Sequence, residues 1–205
     1  MKWKVCGMRE MDNIQEVAKA KPDYMGFIWA EASPRYVGED FVIPQAVLGK
    51  TIAVGVFVNR AVTSIIDLSQ RAGFTWVQLH GEEKDEEILA LKKAGLTVIK
   101  AISVADKQDV EGLGLAPDFY LFDTKKGKQT GGTGQRFDWD ILAAYTVGKP
   151  FILAGGLSKE NVVEAIELSK KYPIYALDFN SKVEIKAGLK DVQEVREISE
   201  ILAEN

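Results

Sequence analysis

The chain has 205 residues, 46% of them apolar, and its 30 acidic and 26 basic side chains leave a formal charge of −4. Four Trp, six Tyr and nine Phe against six Pro exclude a disordered chain. The mildly acidic balance, with no basic block along one helical pattern, sets nucleic acid aside as a partner. The longest apolar run, Ile52 to Val58, is far below the ~18 residues that would suggest a membrane span.

The opening residues Met1 to Glu10 interleave charge with apolar groups, so no export signal is expected. The only cysteine, Cys6, excludes an intramolecular disulfide, and with one histidine, His80, it leaves little for a metal site. A reducing cytoplasm is the expected location. From there β-rich runs alternate with helical patterns. The predicted strands are Trp3 to Cys6, Tyr24 to Trp29, Thr51 to Val58, Thr75 to Leu79, Thr97 to Ile102, Phe119 to Phe122, Phe151 to Ala154 and Ile174 to Asp178. Helices are predicted near Asp12 to Ala20, Ala61 to Ala72, Lys84 to Ala94, Phe137 to Tyr145, Ser158 to Lys171 and Lys190 to Ala203, with weaker patterns at Glu39 to Leu48 and Ala105 to Leu113.

Eight such units in 205 residues average about 26 residues each, which suits a compact (β/α)₈ TIM barrel in the α/β class, one domain over residues 1–205. A doubly wound open sheet is the competing architecture, but no G-x-G-x-x-G follows the first strand.

In a barrel the strand C-termini converge on one rim, where widely separated polar residues meet. Cys6 ends the first strand and Gly7 behind it permits close approach. As a lone thiol it is either a small core residue or a base, and the second role needs an electropositive setting that favours thiolate. Asp123, at the end of an apolar strand, is either a general acid or a carboxylate that pins its own loop. Together they would supply a base and an acid across one mouth, a pairing suited to isomerisation by proton transfer.

Loops after the seventh and eighth strands of such barrels bind phosphate through backbone N–H groups, which points to Gly155-Gly156 and Asn180-Ser181. Arg35, in Ser33-Pro-Arg-Tyr36, could grip a carboxylate. His80 either touches ligand or is structural, with no proton-transfer role assigned. Thr124 to Gly134, rich in Gly and Lys, is either a solvated loop or a lid over an anionic substrate.

In order, Lys4-Val-Cys-Gly7, Ser33-Pro-Arg-Tyr36, Val54-Gly-Val-Phe-Val-Asn59, Val77-Gln-Leu-His-Gly81, Phe122-Asp-Thr124, Gly131-Gly-Thr-Gly134, Phe137-Asp-Trp139, Leu153-Ala-Gly-Gly-Leu157 and Gly188-Leu-Lys-Asp191 span nearly the whole chain. This ordered set resembles phosphoribosylanthranilate isomerase of tryptophan biosynthesis. The resemblance implies a (β/α)₈ barrel that performs an Amadori rearrangement of N-(5′-phosphoribosyl)anthranilate without metal or organic cofactor. It implies Cys6 as general base and Asp123 as general acid, with Arg35 facing the anthranilate carboxylate. Gly155, Gly156 and Ser181 would line the phosphate site, and His80 and Asn180 would be further substrate contacts. The partner implied is the small phosphoribosyl substrate, with other tryptophan-pathway enzymes as further candidates and no expectation about oligomeric state. One departure stands out: where many members carry Asp-Val-Ser-Ser-Gly-Val-Glu, this chain reads Asp178-Phe-Asn-Ser-Lys-Val-Glu184. Glu82 and Glu83, near the rim opposite the phosphate loops, are expected to repel the second phosphate of a histidine-pathway substrate.

Overall fold

A computed structural model describes residues 1–124 and 137–205. Eight parallel strands close into a barrel in chain order: β1 (Lys2–Cys6), β2 (Tyr24–Ile28), β3 (Ile52–Phe57), β4 (Trp76–Leu79), β5 (Thr97–Val104), β6 (Phe119–Thr124), β7 (Phe151–Leu153) and β8 (Ile174–Phe179). Closure is direct, with β1 in register on β8 through Lys2 opposite Ala176 and Lys4 opposite Asp178. The α-helices are α1 (Met11–Ala18), α2 (Gln45–Leu48), α3 (Val62–Ala72), α4 (Asp85–Lys93), α5 (Val162–Leu168) and α6 (Val192–Glu204).

Because strand side chains alternate, each strand feeds two cores. Trp3 and Val5 of β1 join Ile14 and Val17 of α1 and Ile198 of α6 in a large cluster between sheet and helices. Tyr24, Val54, Ile99, Leu121, Ile152 and Ala176 form a second cluster without any helix residue, which is the barrel interior.

All eight predicted strands are present, each within two residues of its predicted ends. The extension of β6 to Thr124 places Asp123 inside the strand rather than behind it. The two weaker helical patterns shrink, and so does the predicted helix at Phe137 to Tyr145. Ala105 to Leu113 keeps a single 3₁₀ turn, Lys107–Asp109, whose start Asp106 caps by accepting from the Gln108 N–H. Phe137 to Tyr145 keeps a 3₁₀ helix, Trp139–Ala144, capped by Asp138 in the same way. In both, an Asp side chain competes for the amides of the first turn and favours the tighter winding. Glu39 to Leu48 reduces to α2, which starts only after Pro44. An unpredicted hairpin, β9 (Glu184–Lys186) with β10 (Leu189–Lys190), follows a 3₁₀ turn at Ser181–Val183. Its strands are too short for a period-2 signal.

Candidate active site

Cys6 and Lys4 lie two residues apart on β1, on the face opposite Trp3 and Val5, so both enter the barrel. The thiol is 3% exposed and stands over Gly26, its register partner on β2. A Cβ at Gly26 would lie 2.6 Å from the sulfur, so the glycine makes room for the thiol. Gly7, at φ +79°, turns the chain out of the strand beneath Arg35 and Asn180, and a Cβ there would lie 2.5 Å from Arg35 Cδ.

Lys4 is fully buried and its Nζ donates to Asp178 Oδ2 at 2.9 Å. The other carboxylate oxygen, Asp178 Oδ1, is buried without a partner among the described residues. Burial pushes the Cys6 thiol up from its ordinary range, while the Lys4 ammonium and, more weakly, that of Lys190 pull it back. The Asp178 carboxylate adds to the rise, so the thiol stays above its ordinary range with two ammonium groups opposing burial.

Asp123 faces the mouth from β6. Its Oδ1 accepts the Thr124 N–H at 2.8 Å, and Oδ2 lies 3.8 Å from His80 Nε2. His80 continues β4, its own N–H donating to Phe57 O at 2.8 Å. Burial, which favours the neutral ring, holds the imidazole below its usual range despite the Asp123 carboxylate nearby.

Arg35 reaches the mouth from the loop after β2, tied down by Glu184: Nε donates to Oε1 at 2.9 Å and Nη2 to Oε2 at 2.5 Å. Among the described residues Nη1 has no protein partner, which leaves one edge of the guanidinium for a ligand. Lys190 Nζ donates to Glu184 Oε1 at 2.7 Å, to Asn180 Oδ1 at 2.8 Å and to Asn180 O at 3.2 Å. Burial lowers the Lys190 ammonium to about 8. Asn180 thus spends its side-chain oxygen on Lys190 and keeps only its amide nitrogen for a substrate.

The expected phosphate loops lie side by side. Gly155 and Gly156 both have positive φ, +86° and +71°, and a Cβ on Gly155 would lie 2.6 Å from Thr124 N, so the glycine lets this loop close against the end of β6. Asn161 fixes the turn by donating to Gly156 O at 3.0 Å and accepting from Ser158 N–H at 3.0 Å. Across from it Ser181 opens the 3₁₀ turn after β8, where first-turn amides lack helical partners. Between the loops runs a groove of about 570 Å³ lined by Gly156, Ser158, Asn161 and Lys182 and by the carboxylates Glu160, Glu184, Asp191 and Glu194. Lys182, the departure from the family pattern, therefore adds a cation where that pattern has glycine.

One expectation changes. Glu83 is not a free charge at the rim: it is 8% exposed and accepts from Asn59 N–H at 2.8 Å, Gly81 N–H at 3.0 Å and Lys100 Nζ at 2.7 Å. Its charge is neutralised by Lys100, because a carboxylate buried this far must be paired, so repulsion of a second phosphate would rest on exposed Glu82 alone. The segment Thr124 to Gly134, read as either a solvated loop or a lid, lies beyond Thr124 outside the described residues. Four residues were missed: Lys4, Asp178, Glu184 and Lys190. The signal for Asp178 was a charge inside an otherwise apolar strand, which must find a partner.

The family model for N-(5′-phosphoribosyl)anthranilate isomerase matches residues 3–201. N-(5′-phosphoribosyl)anthranilate isomerase of Parabacteroides distasonis is 40% identical over 94% of this chain and 89% of its own length. That of Petrotoga mobilis is 40% identical over 95% and 93%. Among solved structures, phosphoribosyl anthranilate isomerase from Thermus thermophilus superposes with a TM-score of 0.86 at 27% identity, over 100% of this chain and 99% of that one. One solved in complex with reduced 1-(o-carboxyphenylamino)-1-deoxyribulose 5-phosphate superposes at 0.79 with 25% identity, over 100% of both chains. With its motifs in order around one barrel mouth, and with matches over nearly its whole length, this chain belongs to the N-(5′-phosphoribosyl)anthranilate isomerase family.

Proposed function

We propose that residues 1–205 act as one catalytic unit that isomerises N-(5′-phosphoribosyl)anthranilate in tryptophan biosynthesis, with Asp123 as general acid and Cys6 as general base. The observation that carries this reading is the placement of the two groups on β1 and β6 of one closed barrel, both at the C-terminal rim. Carrying a proton, Asp123 delivers it to the ribose ring oxygen, and the ring opens to a Schiff base. The iminium acidifies the adjacent C2′–H, so a thiolate is a strong enough base to remove that proton and give the enolamine. Tautomerisation then yields 1-(2-carboxyphenylamino)-1-deoxyribulose 5-phosphate.

The phosphate is held by the amides of Gly155, Gly156 and Ser181, with Lys182 adding charge to the groove and Asn180 offering its amide nitrogen. The free Nη1 edge of Arg35 faces the anthranilate carboxylate, and neutral His80 steadies Asp123 beside the substrate. Anchoring both ends of the substrate fixes C2′ between acid and base, the orientation effect that makes weak groups effective. The working partner is this small molecule, and the cytoplasm, where an unpaired thiol persists, is the compartment.

The test is a coupled assay on freshly generated substrate, followed by loss of its fluorescence. Cys6→Ser and Asp123→Asn should each lower kcat by at least ~100-fold with the unfolding midpoint preserved. Near wild-type turnover in either variant removes that residue from the mechanism.

A further inference from the structure

The reaction needs a thiolate at a position whose burial opposes one, and the surroundings of Cys6 contain a device that offsets this. Lys4 shares the inner face of β1 with Cys6, two residues along the strand, is fully buried and hydrogen bonds with Asp178. The register of β1 on β8 sets Lys4 directly against Asp178, so the ammonium has a fixed position instead of a choice of rotamers. A lysine seated this deep, in a strand that could equally carry an aliphatic residue, is costly unless its charge is used.

The charged groups around Cys6 are the cations Lys4 on β1, Lys190 on β10 and Arg35 after β2, and the carboxylate Asp178 on β8, with Glu184 on β9 paired to Lys190 and Arg35. Asp123 on β6 and His80 after β4 act on this group through Asp178 and Lys4. Of the three cations, Lys4 alone shares the inner face of one strand with Cys6.

We propose that Lys4, anchored on Asp178, is the counter-cation that holds Cys6 as a thiolate, a positioning residue that acts on the substrate only through the sulfur. The proposal rests on Cys6 being the base. Asp178 plays two parts: it fixes the ammonium, and it competes with the thiolate for that ammonium's charge.

This dual part gives a test with opposite signs. Cys6 is the sole cysteine, so thiolate ultraviolet absorbance, taken as a difference from Cys6→Ser, titrates one sulfur in the folded enzyme. Lys4→Met should raise the thiolate midpoint by about one pH unit and lower kcat at pH 7 about tenfold, with KM nearly unchanged and activity recovering as pH rises past the new midpoint. Asp178→Asn should move the midpoint down, because the cation remains and the competing carboxylate is gone. If Lys4→Met folds poorly, the neutral pair Lys4→Met with Asp178→Asn removes both buried charges. Its midpoint should still lie above wild type, since the ammonium bears on the thiol more strongly than the carboxylate does. Midpoints that stay put, or that move in the same direction in Lys4→Met and Asp178→Asn, overturn the proposal. Loss of activity in Cys6→Ser with unmoved midpoints in the Lys4 variants would sink this inference while leaving the catalytic reading intact.

Discussion

The two ends of the barrel are closed by different chemistry. At the N-terminal end the first residues of the strands bring four rings together: Tyr24 lies 4.9 Å from Trp76, Trp76 stacks on Phe119 at 5.3 Å, Phe119 meets Tyr175 at 4.5 Å, and Tyr175 returns to Tyr24 at 6.3 Å between centroids. The polar atoms there satisfy one another, with Lys2 Nζ donating to Tyr175 Oη at 2.8 Å and the two tyrosine hydroxyls 2.7 Å apart. At the mouth the balance is left open: among the described residues Asp178 keeps an unpartnered oxygen and Arg35 an unused edge, and Cys6 stands among buried cations. One end of the sheet is finished chemistry and the other waits for a ligand, which is the division of labour expected of this fold.

Exchanging the consequences of damage at the two ends is the sharpest way to break this comparison. The largest effect on stability is expected at a support of the mouth that touches no substrate: Lys100→Met strands the Glu83 carboxylate, 8% exposed, without its cation and should cost about 3 kcal/mol in denaturant unfolding. Next comes the aromatic floor. Trp76→Ala opens its stack on Phe119 and should cost about 3 kcal/mol or slightly less, with kcat retained once the protein is folded. A fall in kcat at 25 °C larger than the fall in folded fraction would show that the floor shapes the mouth. Tyr24→Phe, which removes only one hydroxyl of the floor, should cost about 1 kcal/mol.

The smallest effect is expected at the outer rim, where Arg60 donates to both oxygens of Glu39 and lowers that carboxylate to about 2. A lowered carboxylate stabilises the fold above its ordinary range and loses that contribution as pH falls toward its folded value. Glu39→Gln should therefore destabilise at pH 7, by under about 1 kcal/mol because solvent screens the pair, and the difference from wild type should vanish as pH falls toward 2. A difference that persists undiminished in acid would assign the effect to packing instead of charge.

The floor was legible in the sequence only as strand starts, since Tyr24, Trp76 and Phe119 read as ordinary β-formers whose meeting depends on barrel closure. The mouth was legible in part. Cys6, Asp123 and His80 were placed at strand ends by periodicity, because period-2 runs have definite ends. The groups that hold them were not. Lys4 reads as a solvent-side residue in an alternating Lys-Trp-Lys-Val run until closure turns that face inward, and Lys190 and Glu184 sit on a hairpin too short to register. Glu83 was misread because an acidic run ahead of a helix looks solvated, and only the buried ammonium of Lys100 shows that one member turns in.

Gly26 carries a consequence for anyone who would transplant this chemistry. It contributes neither charge nor hydrogen-bonding side chain, yet an added methyl there would stand 2.6 Å from the sulfur. Copying the reactive groups into another eight-stranded scaffold, with alanine or valine on the neighbouring strand, would reproduce every functional atom and still deny the nucleus of the site its volume. A vacancy of one methyl group on β2 belongs on the parts list as surely as the thiol it accommodates.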